Sequence, residues 1–155
     1  MVRGRMLRVK EGPPAMSIAL RDAGVLPLRP ASLSFTWLPE RQRLDLAFTG
    51  DVTGGEYLGV MRRCFQAHPD SVLADWVHDL RRYRGTVGHD EVSALARDYH
   101  ALARGRDERA LSVLVTPDPG FVHWAAVWRV QFRPRRVAVV ATMAEAEALL
   151  AAPAC

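Results

Sequence analysis

Two His-Asp dipeptides, His78-Asp79 and His89-Asp90, are the part of this sequence best equipped for acid–base chemistry. A carboxylate can orient an imidazole so that it works as a general base. Neighbouring residues of a strand point to opposite faces. His78 and Asp79 therefore cannot serve each other, whereas His78 with Asp90, or Asp79 with His89, can. The plainer account is that Asp79 braces its own loop and the histidines lie on the surface.

Other chemistry-bearing residues are sparse. Cys64 follows Arg62 and Arg63, and nearby cations lower a thiol pKa. It also sits in an apolar helical stripe, where a cysteine acts as a small core residue. Cys155 is terminal, and two cysteines do not make a disulfide framework. His78, His89, His100 and His123 form neither H-x-H nor H-E-x-x-H spacing, so no metal site is expected. Gly50, Gly54 and Gly55 lack the G-x-G-x-x-G pattern and a P-loop lysine, and read as turn glycines. No G-x-S-x-G is present. We assign no catalytic residue, metal or cofactor from the sequence.

The densest polar feature is Arg81-Arg82-Tyr83-Arg84, read as a loop, with Thr86 and His89 close behind. Such a loop can dock an acidic peptide, a phosphate or a nucleic acid. It can equally be solvated, its arginines paired with Asp79, Asp90 and Glu91. Phe121, Trp124, Trp128 and Phe132 recur at the spacing of one helical face. Core packing accounts for such a face, and any exposed members would offer a dimer or partner an apolar patch.

The elements that must position these residues follow from periodicity. Leu33, Phe35 and Trp37 alternate with Ser34 and Thr36, and Leu44, Leu46 and Phe48 with Asp45, Ala47 and Thr49, around a Pro39–Gln42 turn. That pattern predicts a β-hairpin. Thr53 and Glu56 have capping-box spacing; Tyr57, Leu58, Met61 and Phe65 then share a helical face, closed by Pro69. Val72–Leu80 reads as a central strand covered on both faces. Gly85 and Gly88 punctuate a loop, and a helix starting near Asp90-Glu91 runs to Gly105. Leu111–Val115 reads as a buried strand. Asp118 as N-cap and Pro119 at N1 open a further helix, ended by Pro134. Val137–Ala141 reads as another buried strand, and Thr142–Glu145 as a second capping box before the last helix. The order β-β-α-β-α-β-α-β-α implies parallel strands with right-handed crossovers after an antiparallel opening pair. The expected class is α/β, a mixed five-stranded sheet with an N-terminal β-hairpin and about four helices.

A chain of 155 residues fits one domain with its own core. Apolar residues at 49% and charged residues at 25% are ordinary globular values. The net charge of +4 falls entirely in residues 1–31, where Arg3, Arg5, Arg8, Lys10, Arg21 and Arg29 face only Glu11 and Asp22. The expected organisation is a basic, proline-containing arm over 1–31 and a single neutral domain over 32–155. A neutral folded part argues against a nucleic-acid partner, leaving a phosphate-binding arm as the alternative to a solvated one. The near-exclusive use of arginine over lysine fits a GC-rich bacterial genome. No stretch has the length of a membrane helix. The Ala15–Leu20 run is short and interrupted, so no signal peptide is expected, and Met16 is an alternative start. A reducing, cytoplasmic location follows from cysteine usage.

Gly50 with the Thr53 cap, the strand ending Val77-His78-Asp79-Leu80-Arg81, the loop Tyr83-Arg84-Gly85-Thr86, the short strand LSVLV and the ending VAVVATMAEAEALLA together resemble the STAS (anti-sigma-factor-antagonist) family, in its SpoIIAA-like branch. The likeness covers about residues 32–152. It implies a protein–protein switch, controlled in that family by phosphorylation within a D-S/T-S-G stretch. Here Asp79 matches and the Ser-Ser-Gly does not; Thr86 is the nearest hydroxyl besides Tyr83. Relatives of this branch also resemble a lipid-binding fold, which implies a small-molecule cleft. Three functions are carried forward in order. The first is a non-enzymatic, STAS-like regulatory or protein-interaction module using Arg81, Arg82, Tyr83, Arg84, Thr86 and His89. The second is a small hydrophobic-ligand carrier with a cleft lined by Trp76, Trp124 and Trp128. The third is an enzyme using His78, Asp79, His89 and Asp90. A protein partner is expected under the first, and a homodimer is open under any of them.

Overall fold

A computed structural model describes residues 31–152. The basic arm read over residues 1–31 therefore lies outside the described residues, apart from Ala31.

Alternation builds the opening hairpin. β1 (Ser32–Leu38) pairs antiparallel with β2 (Arg43–Gly50), Leu33 opposite Phe48 and Leu38 opposite Arg43. Pro39–Arg41 forms a 3-10 turn between them, and Gln42 adopts a left-handed conformation. Its side-chain amide donates to the Pro39 carbonyl at 3.0 Å, which fixes the turn. Helix α1 (Gly54–Ala67) opens on the expected capping box. Thr53 Oγ1 accepts from the Glu56 N–H, and the Glu56 carboxylate accepts from the Thr53 N–H.

The next strand differs from its reading. Val72 and Leu73, read as the start of that strand, belong instead to a second 3-10 turn, Pro69–Leu73, opened by Pro69, which has no N–H to continue the preceding helix. Strand β3 spans Asp75–Tyr83 and pairs parallel with β2 as far as Gly50 and Tyr83. Arg81, Arg82 and Tyr83 thus belong to a strand, not to a loop. Helix α2 (His89–Ala103) follows, with the Glu91 carboxylate accepting from the Gly88 N–H at 2.9 Å. Strand β4 (Leu111–Val115) is buried along its whole length. Helix α3 (Phe121–Gln131) begins later than expected. Pro119 and Gly120 form a turn with i→i+3 bonds ahead of the helix, so the N-cap is Gly120; the Asp118 carboxylate caps that turn, accepting from the Gly120 N–H at 2.8 Å. Strand β5 (Arg136–Val140) and helix α4 (Met143–Ala151), with its Thr142–Glu145 capping box, complete the chain.

The sheet runs in chain order, β1-β2-β3-β4-β5, with every pair after the first parallel. Right-handed crossovers that always step in one direction put every crossover helix on the same face. The main core follows suit: Leu44, Leu46, Phe48, Trp76, His78, Leu80 and Leu114 of the sheet pack against α1, α2 and α3. Among the described residues the opposite face carries only α4, seated by Ala146 on Val77, Val113 and Val115. Val137–Ala141, read as a buried strand, is a sheet edge. Among its strand residues only Val137 is buried, because among the described residues β5 has a strand neighbour on one side only.

Two features fix the upper edge of the sheet, where the parallel strands end. β3 carries one extra residue relative to β2: Ala47 pairs with Asp79, but Thr49 pairs with Arg82. Such a bulge re-aims the side chains beyond it. Strict alternation would send Tyr83 to the face opposite His78 and Leu80; after the bulge all three turn the same way. Beyond Tyr83 the chain stays bound to the end of β2. The Arg84 N–H donates to Gly50 and the Thr86 N–H to Val52. A Cβ on Gly85 would collide with the Val52 carbonyl oxygen, so only glycine allows this approach.

Candidate functional site

The helix-bearing face opens at the C-terminal ends of β2, β3 and β4 into a cleft of about 450 Å³. Sites of open α/β sheets lie at this edge. Aromatic side chains supply its walls: Phe48 from β2, Tyr83 from β3, and Phe121, Trp124 and Trp128 from α3. The ring of Tyr83 meets Phe48 edge-on at 5.6 Å and Phe121 at 6.2 Å. The Tyr83 hydroxyl accepts from the Val87 N–H at 2.8 Å and so holds the Arg84–Gly88 segment over the opening. Leu80, Val87, Val92 and Leu114 complete the apolar lining, with Arg84 and Asp118 at the exposed rim.

His78 and Tyr57 are the polar groups at depth. His78 is 1% exposed. Its ring is gripped edge-on by Trp128 at 4.9 Å and stacked by Phe48 at 6.0 Å. Nε2 lies 3.2 Å from the Tyr57 hydroxyl, and Nδ1 has no hydrogen-bond partner among the described residues. Burial, reinforced by the positive charge of Arg135, pushes the His78 pKa down to about 3. Burial likewise pushes Tyr57 well up. Both groups are therefore neutral at pH 7. An efficient general base has a pKa near the working pH, so this pair is suited to hydrogen bonding rather than proton transfer.

The residues singled out from the sequence divide between the cleft and elsewhere. Trp124 and Trp128 line it. Trp76 does not: it lies fully buried, its indole N–H donating to Ser71 O at 2.7 Å, with the Arg135 guanidinium 3.9 Å above its ring. Tyr83 and Arg84 line the cleft, whereas Arg81 is taken up by Asp79 in a two-pronged ion pair, both contacts 2.8 Å. That pair holds the Asp79 carboxyl below the usual range. Arg82, Thr86 and His89 are exposed, and His89 Nδ1 faces Ser93 Oγ at 3.3 Å. Neither His78 with Asp90 nor Asp79 with His89 is hydrogen-bonded among the described residues, since His78 meets Tyr57 and Asp79 meets Arg81. Cys64 is fully buried against Ser71, and burial raises its thiol pKa, which suits a core residue and not a nucleophile. No group of three or more His, Cys, Asp or Glu able to hold a metal occurs among the described residues. Of the aromatic face of α3, Phe132 and Trp128 are buried, while Phe121 and Trp124 are half-buried at the cleft.

Tyr57, Phe48 and Leu114 had not been singled out for the site. The available signal was a histidine in mid-strand among Trp76, Val77 and Leu80, which needs a buried polar partner. No helix among the described residues is long and apolar enough to cross a membrane. No family model matches this chain, and neither does any curated protein or solved structure.

Proposed function

We propose that this protein is a small-molecule-binding domain whose ligand is an apolar compound held in the aromatic cleft above His78. The observation that carries this reading is the cleft itself: about 450 Å³, lined by six aromatic side chains, Phe48, Tyr57, Tyr83, Phe121, Trp124 and Trp128, with Arg84 and Asp118 the charged residues of its lining. Ligand sites are concave, mostly apolar and furnished with few polar groups, and this volume falls within their usual range. The overall fold as an STAS-like domain, in a cytoplasmic protein, belongs to the same proposal. Its support is the β-β-α-β-α-β-α-β-α order. Titration with Nile red, an uncharged apolar dye, tests the reading. One dye per chain should bind with a blue-shifted emission, and Val87→Trp, which fills the cleft, should weaken binding at least about tenfold. Dye binding that never saturates, or that ignores Val87→Trp, rejects it.

A second reading, a regulatory protein-interaction module, is favoured by one observation. Arg82 and Arg84 are exposed and have no carboxylate within ion-pairing distance among the described residues, unlike Arg81. It predicts a protein partner, captured from the source organism, whose binding is lost in Arg82→Ala/Arg84→Ala while dye binding persists.

A further inference from the structure

The β5 edge of the sheet carries a pattern that the cleft does not use, since β5 supplies no residue to the cleft lining. The Arg136 N–H donates to the Ala110 carbonyl and the Thr116 N–H to the Val140 carbonyl. Even-numbered residues of β5 thus turn their backbone groups toward β4, and Val137 and Val139 turn theirs outward. The Val137 carbonyl accepts from Arg129 Nε at 3.2 Å. The Val137 N–H and both backbone groups of Val139 meet no strand among the described residues. An edge of this kind is a template for another strand.

Both flanks of the edge are apolar. Val122 and Ala126 share the Arg129 side of α3 and are exposed, as is Val130. On the other face Val140, Ala148 and Leu149 line an open groove. Charge then distinguishes the two ends. Arg136 is exposed at the start of β5 and alternates with the core-facing Val137, which puts it on the α4 face. Glu145, also exposed and on that face, holds its carboxylate against the Ala141 N–H at 2.8 Å, just past the end of β5. Neither has an ion-pair partner among the described residues.

We propose that a second copy of this chain pairs antiparallel along β5, joining the two sheets into one about a two-fold axis at Ala138. In this register the backbone groups of Val137 face those of Val139 in the other copy. The Val139 N–H takes over the carbonyl that Arg129 covers. Arg136 lies opposite Val140 of the other copy, on the same face as that copy's Glu145, so each basic start meets an acidic end twice over. Self-complementarity is what an isologous dimer requires; a parallel pairing would set Arg136 against Arg136.

Sedimentation velocity of the full chain should show a dimer in the micromolar range. Arg136→Glu and Glu145→Lys should each weaken it at least about tenfold, because each alone creates two like-charge pairs. Mixing the two variants should restore a mixed dimer, in which both pairs are again of opposite sign. Val139→Pro removes an outward N–H that β4 does not use, and should give a folded monomer. Hydrogen exchange of the unmodified chain keeps the proposal falsifiable if a variant does not fold. The Val137 and Val139 amides should be protected in the dimer and lose protection on dilution. A monomer at every concentration overturns the proposal. So does a dimer indifferent to all three substitutions, or a mixture that stays monomeric. Protection of those two amides in a monomer also overturns it, because the chain's own residues would then cover the edge.

Discussion

His78 is a neutral imidazole locked inside an aromatic box, and that state has a measurable consequence. Its folded pKa is about 3 against an ordinary 6.5. Between those values the unfolded chain takes up a proton that the folded chain refuses. Stability is therefore fully present above pH 6.5 and falls as pH drops toward 3. Tyr57→Phe/His78→Phe should flatten this fall, measured as the change in urea midpoint between pH 7 and pH 4. An unaltered difference would show that His78 does not carry it. Arg135 poses the opposite problem, a guanidinium 2% exposed with no carboxylate in ion-pairing distance among the described residues. It donates to the carbonyls of Val72 and Ala74, both at 2.8 Å, and to Tyr99, Leu111 and Ser112 at longer range. Burial lowers its pKa to about 9, with Asp107 and Asp75 acting the other way, so it stays charged at pH 7. Arg135→Met keeps much of the volume but orphans those carbonyls. It should cost about 2–4 kcal/mol in chemical denaturation.

At the scale of elements, the bulge in β3 and the Gly85 crossing do most to shape the site. Without the extra residue Tyr83 would point away from the cleft and leave it without that wall. Gly85→Ala should push the Arg84–Gly88 segment off Val52, destabilising the fold by about 1–3 kcal/mol. It should also weaken Nile red binding more than its effect on stability explains. The helix caps are separable from function. Thr53→Ala removes the hydroxyl that accepts from Glu56 N–H and should cost about 1 kcal/mol with dye binding at 25 °C unchanged. Loss of binding there would tie α1 more closely to the cleft than its one lining residue, Tyr57, suggests.

For the whole molecule, the strand order decides the layout. A sheet that never reverses direction places three helices on one face, and the ends of β2, β3 and β4 together with the starts of α2 and α3 enclose one cleft. The other face is half-open. Ser32, Ser34, Thr36 and Ala47 are exposed there, and the Arg43–Glu147 ion pair ties α4 down at 2.7 Å. On the outer side of α3, Val122 and Val130 are exposed, 56% and 66%. A ligand that binds only the folded state raises its stability by mass action. A probe at a hundred times its dissociation constant should add about 2.7 kcal/mol, read as a higher thermal midpoint. Val87→Trp should abolish that increment.

The sequence by itself determined the elements, because the signals that specify them are local. Period-two alternation marked β1 and β2, and Thr-x-x-Glu spacing marked the starts of α1 and α4, all as observed. The α/β class with a five-stranded mixed sheet followed from their order. Tertiary structure decided what the elements bring together. The bulge that turns Tyr83 inward shows only in the pairing of β2 with β3, since an extra residue is extra only relative to a partner. Whether Trp76 or Trp124 faces a cavity depends on which helix covers which strand; Trp76 lies beneath Arg135 and outside the cleft. The partner of His78 is Tyr57, twenty-one positions away on another element, where no local pattern reaches. Local periodicity fixes which side of an element is apolar, and long-range packing fixes what that side meets.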